Sequence, residues 1–195
     1  MKRATPRVPL VEREEVAPGA RAAYDHVARS RGGEMPNVFK ALANSPAALE
    51  RIAAVGEFIR FQSRLDPVLR ELVILTVARE TRCAYEWSHH WEIAQRIGVA
   101  PALLAAVGTD GIETEPDPIG PAVRFARLVA RAQAVDDGTF AAVETALGKA
   151  GVVELTVAVG YYGLLGRLLN TLDVPLEPGV SARPLPGGRP DADEG

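Results

Sequence analysis

A chain of 195 residues, 47% apolar and 24% charged, is long enough to bury a core and balanced like one globular domain. Its formal net charge of −3 gives no electrostatic reason to expect nucleic acid or an anionic membrane as partner, and its single cysteine excludes an internal disulfide framework. The amino terminus MKRATPRVPLVEREEV lacks the apolar core of a signal peptide, and the uncharged run from Leu155 to Gly166 is shorter than the ~20 residues a spanning helix needs. The expectation is a cytoplasmic protein.

Alanine, leucine, arginine and glutamate dominate, and strand-like alternation is scarce, so an all-α fold is expected. Residues 1–18, with Pro6, Pro9 and Pro18, read as an extended arm, loosely ordered or lying on another subunit. The helical domain is expected over 19–173. Its first helix runs from Gly19 to about Arg29 and carries His26, which reads as structural or solvated. Pro36 opens a short helix through Ala43. Ser45-Pro46 and Asp66-Pro67 each read as N-cap and first helical residue of longer helices, ending near Phe61 and Glu80.

The helix from Pro67 is apolar on most sides, which marks the buried centre of a domain. Glu71 sits within it among Pro67, Val68, Ile74 and Leu75. A carboxylate there must be paired, hydrogen-bonded or protonated, unless it lies on a wet edge beside Arg70. Thr81 is the expected N-cap of the next helix, which runs to Ile97 and closes at Gly98. In that frame Glu86 and His90 lie at about −60° and −20° from Cys83, with Trp87 at about +40° and His89 at about −120°. Thiol, carboxylate and imidazole thus share a stripe. It reads either as a proton-handling set or as a buried cysteine beside an ordinary i, i+4 acid–histidine pair. Neighbouring His89 and His90 cannot face one ion from a helix, so no metal site is expected.

A linker rich in Gly, Asp and Pro spans 108–118, followed by helices near 119–134 and 138–148. A long helix from about Val152 to Leu172 carries Gly160, Gly163 and Gly166, which would admit a close neighbour. Residues 174–195 read as an irregular tail with a disordered end.

The spacing from Glu71 to Cys83 to His90, with Tyr85-Glu86-Trp87 between, resembles the carboxymuconolactone decarboxylase and alkylhydroperoxidase D superfamily. The resemblance extends to MPNVFKALANSP and GYYGLLGRLLNTLDVPLEP and covers roughly residues 20–178. It implies an alkylhydroperoxidase D-like helical domain in homo-oligomers, trimers or hexamers, with the site near a subunit boundary. The peroxidase branch uses a glutamate, a Cys-x-x-Cys pair and a histidine. These fall on Glu71, Cys83 and His90, but the second cysteine falls on Glu86, so the intramolecular disulfide of that branch cannot form.

The decarboxylase-type branch resembles the chain better. It implies cofactor-independent proton transfer, by decarboxylation, isomerisation or cyclisation, on a small oxygenated carboxylate or lactone. In that reading His90 is the general acid/base, Glu71 orients it, Glu86 is a second acid/base and Cys83 a polar wall or minor proton partner. Tyr85, Trp87 and His89 line the pocket, and Arg79, Arg82 or Arg124 holds a substrate carboxylate. Two alternatives stand beside it: thiol-dependent peroxide reduction through Cys83, and a non-catalytic oligomeric binding protein.

Overall fold

Start signals written in the sequence set most of the helix boundaries. Pro46, Pro67 and Pro101 each stand in the first turn of a helix, where an N–H would have no intrahelical partner. Asp66 caps its helix by accepting from the Val68 and Leu69 amides at 2.9 and 3.1 Å. Ser45 stands at the equivalent place before Pro46, but its hydroxyl makes no capping bond.

The computed structural model describes residues 5–186; the end of the tail, expected to be disordered, lies outside the described residues. Among these no strand occurs. The α-helices are α1 (Arg21–Arg29), α2 (Asn37–Leu42), α3 (Pro46–Phe61), α4 (Pro67–Glu80), α5 (Ala84–Arg96), α6 (Pro101–Val107), α7 (Ile119–Ala130) and α8 (Asp137–Leu172). Gly148, at φ 68°, breaks α8 into the two helices that the sequence separates. By length and composition α8 could cross a membrane, but 56% of its most apolar window is buried within the protein, as in a core helix.

Residues 5–63 and 167–180 form one compact unit, in which α1 and α2 pack on α3. The amino-terminal segment lies on this unit of its own chain: the Arg7 amide donates to Leu172 O, the Asn44 side chain donates to Pro9 O, and Val16 is buried. His26 pairs with Glu57 at 2.8 Å on the surface of the same unit.

Residues 64–166 and 181–186 form the second unit, built round α4. Every α4 residue from Glu71 to Ala78 is buried, and the helix packs mainly against α5 and α7. Leu72, Leu75, Trp87, Val107, Ile112 and Val123 share one core. The stretch expected as a linker is partly ordered instead: Asp110–Thr114 forms a 3-10 turn with Ile112 fully buried. Asp110 and Glu113 accept from buried Arg127 at 2.8 and 2.6 Å.

Of Gly160, Gly163 and Gly166 on α8, Gly166 has the expected close neighbour. A Cβ there would meet Thr81 Oγ1 at 2.6 Å, whereas one at Gly160 would meet open space.

Candidate active site

Helix α5 starts two residues later than the sequence suggests. Thr81 belongs to the end of α4, where its hydroxyl donates to Val77 O at 2.8 Å. This back-bond to the carbonyl four residues earlier competes with an N-cap role. Arg82 takes a left-handed φ of 54°, and Cys83 becomes the N-cap of α5. Cys83 therefore stands outside the helical frame that aligns Glu86 with His90. It is fully buried, and a Cβ at Gly166 of α8 would lie 3.4 Å from its own Cβ.

The groups that converge are Glu71, Glu86 and His90. Their fractional exposures are 1%, 4% and 6%. His90 Nδ1 meets Glu71 Oε2 at 2.6 Å, and His90 Nε2 meets Glu86 Oε2 at 3.3 Å. The first is a short, charge-assisted bond; the second is at the long limit. Glu71 faces no wet edge, because Arg70 joins it in the interior with Nε 3.3 Å from Oε1. Tyr162 of α8 meets the His90 ring in a T-shaped pair, with ring centroids 5.0 Å apart and planes at 86°. Tyr162 in turn meets Tyr161 edge to face.

Burial alone would drive the His90 proton off. The carboxylates of Glu71 and then Glu86 outweigh it and raise the pKa to about 9, so the ring is an imidazolium at neutral pH. Burial likewise pushes Glu71 up, but His90 and Arg70 hold it below its ordinary value. The result is a buried imidazolium clamped between two acids. Because those acids sit on opposite ring nitrogens, the three side chains do not converge on one point as metal ligands would. Among the described residues no group of His, Cys, Asp and Glu is arranged to hold a metal ion.

The other expected site residues divide. Trp87 is buried and stacks with Trp91 at 5.2 Å, while Tyr85 meets the half-buried His89 ring at 4.5 Å. Arg79 and Arg124, expected as carboxylate holders, are engaged in the protein's own ion pairs: Arg79 with Asp110, Arg124 with Glu113 and Asp136. Arg82 lies exposed at the turn. Sequence reasoning missed Tyr162 and gave Arg70 no role at the site. The GYYG motif was the available signal for the first, and the i, i+1 placement beside Glu71 for the second.

An all-helical domain with a buried acid–imidazole–acid centre on two adjacent helices is the class that fold and site define. Residues 46–132 match the model of the Carboxymuconolactone decarboxylase family. Solved structures agree in fold. An alkylhydroperoxidase AhpD core protein from Ralstonia eutropha JMP134, described as peroxidase-related, superposes with a TM-score of 0.74 at 20% identity, covering 90% of this chain and 94% of that one. A peroxidase-related protein from Silicibacter sp. TM1040 gives 0.73 at 16% identity, covering 89% and 91%. The debrominase Bmp8, as a cysteine-to-alanine variant in complex with 2,3,4-tribromopyrrole, gives 0.68 at 17% identity, covering 91% and 95%. Comparison with curated proteins found no match. The match over residues 46–132 and the shared fold together support the carboxymuconolactone decarboxylase and alkylhydroperoxidase D-like superfamily.

Proposed function

We propose that the protein is a cofactor-independent enzyme whose buried imidazolium protonates carbon during decarboxylation, or a related isomerisation, of a small oxygenated carboxylate or lactone. The observation that carries this reading is the 2.6 Å bond between His90 Nδ1 and Glu71. It fixes the ring and keeps it charged, so that the Nε2 side is the one able to deliver a proton. In a carboxylated γ-lactone, loss of CO2 leaves an electron pair that delocalises into the lactone carbonyl. His90 then donates its Nε2 proton to the resulting carbon, and a proton taken up from solvent, relayed by Glu86 at 3.3 Å, restores the imidazolium. Glu71 and Arg70 position the ring; Tyr162 excludes water from its face.

A second reading follows from Bmp8, whose cysteine-to-alanine variant holds its bromopyrrole. Here Cys83, at the N-cap of α5, would act as a nucleophilic thiol and need an external thiol for its reduction. One experiment separates the two. With a carboxylated γ-lactone as substrate and CO2 release as readout, His90→Gln is expected to abolish turnover, while Cys83→Ser changes it less than about threefold. If Cys83→Ser is as damaging as His90→Gln, the proton-transfer reading fails and the thiol reading takes its place.

The chain is proposed to work as a homo-oligomer, with a second copy of itself on the outer face of α8. Val153, Val157 and Leu164 are exposed there, at 62%, 37% and 42%. With Gly160 they fall within about 60° on the helix, a continuous apolar stripe whose glycine admits a close neighbour. Glu144 and Lys149 lie in the groove beside it, a self-complementary pair of charges for two copies related by symmetry. Val153→Lys is expected to lower the mass found by light scattering to that of a single chain. A wild-type monomer, or an unchanged mass in the variant, would rule this face out.

A further inference from the structure

A cavity of about 290 Å³ opens on the side of α5 that carries Trp87 and Trp91. It is lined by those two rings, by Leu104 and Thr109, and by Arg183 and two prolines of the segment 183–186. This volume is at the small end of small-molecule sites. None of Glu71, Glu86 and His90 lines it.

Two features give the cavity a chemical preference. The first is a pair of donors without acceptors: Trp91 Nε1 and Arg183 Nε are both shielded from water and make no hydrogen bond. A buried donor left unmade costs on the order of 1–3 kcal/mol, more where it carries charge, so native structures rarely keep two side by side. The second is a cation with no counter-ion. Arg183 donates to the neutral Gln95 side chain at 3.2 Å and lies 5.1 Å from the Trp91 ring centroid, and no carboxylate pairs with it among the described residues. Arg79 and buried Arg127 of this unit each keep one unbonded donor as well, but their charges are matched by Asp or Glu.

The Arg183 amide donates to Ser88 Oγ at 3.0 Å, which ties this segment to α5 and keeps the guanidinium beside the Trp91 ring. A planar apolar body fits between the indole faces and the proline walls. A carboxylate on its edge would supply the missing acceptor and the missing charge together.

We propose that this cavity is a binding site for a small planar carboxylate, seated on Trp87 and Trp91 beneath residues 183–186. Arg183 Nε and Trp91 Nε1 are its donors. The site is separate from the acid–imidazole centre and does not depend on the reaction assigned to it.

The chain reports on the site directly, because its only two tryptophans are the two that line it. Titration of the full-length protein with benzoate, followed by tryptophan fluorescence and by calorimetry, is expected to give a saturable change, and benzamide at equal concentration little or none. Arg183→Gln should weaken benzoate about tenfold or more, the scale of a charged hydrogen bond. Trp91→Phe, which keeps a ring and removes the N–H, should weaken it several-fold, with the residual signal read from Trp87. His90→Gln should leave benzoate affinity unchanged. No saturable binding, equal binding of benzamide, or undiminished binding in both Arg183→Gln and Trp91→Phe would overturn the proposal. Loss of binding in His90→Gln would overturn it too, by moving the ligand to the acid–imidazole centre.

Discussion

Replacing Glu71 with glutamine is expected to lower the pKa of His90 from about 9 to below the ordinary imidazole value and to cut turnover of a carboxylated γ-lactone by about 10²–10⁴-fold. The amide has nearly the same shape but no charge, so burial, the largest influence on the ring, is then opposed mainly by Glu86. A glutamine oxygen can still accept from Nδ1, which keeps the ring in place while removing the reason it stays charged. The loss should therefore appear in the rate far more than in substrate affinity. Histidine NMR titration can measure the shift, because the chain has only three histidines. An unchanged His90 titration would show that Glu71 is not what holds the proton, and unchanged turnover would remove the pair from the mechanism.

Alkaline pH should unfold this protein sooner than its composition suggests. The folded-state pKa of His90 is raised, so its stabilisation is fully present below the ordinary imidazole value of 6.5 and is lost as pH rises through about 9. Glu71 is depressed, so its share is present above the ordinary value of 4.5 and is lost as pH falls through its lower folded value. Both contributions are full only between pH 4.5 and 6.5. A shift of the size at His90 corresponds to stabilisation on the order of 3 kcal/mol, which for a chain of this length is roughly 6–12 °C in melting temperature. Thermal unfolding between pH 7 and pH 10 should show that fall in the wild type. The double variant Glu71→Gln, His90→Gln should lose most of the slope. Equal slopes in the two proteins would mean that other groups set the alkaline limit.

Much of the candidate site's geometry is legible in the sequence. A carboxylate buried in an apolar helix demands a partner, and Glu71 has one in His90. Glu86 and His90 are four apart on one helix, and they meet. Cys83 did not join their stripe. Thr81 has the residue type of a cap for α5, but its hydroxyl turns back onto α4 and the helix begins after the cysteine. Such competition between two local bonds for one hydroxyl is decided by the direction in which the chain must leave the turn, and residue order does not encode that direction.

Residue order alone sets the local features: proline and aspartate at helix starts, the glycine break in α8, the apolar girth of α4, and the spacing of acid and imidazole along α5. Each depends on atoms within a few residues, for which helical geometry is fixed at 3.6 residues per turn. Only the tertiary structure decided which nitrogen of His90 faces Glu71 and that Tyr162 meets the ring. It also turned Arg79, Arg124 and Arg127 to the acids of the protein's own turns, and laid Arg183 across α5 from 95 positions away. Those pairings join distant parts of the chain. Long side chains reach several acids at similar cost, and packing of the apolar core selects among them.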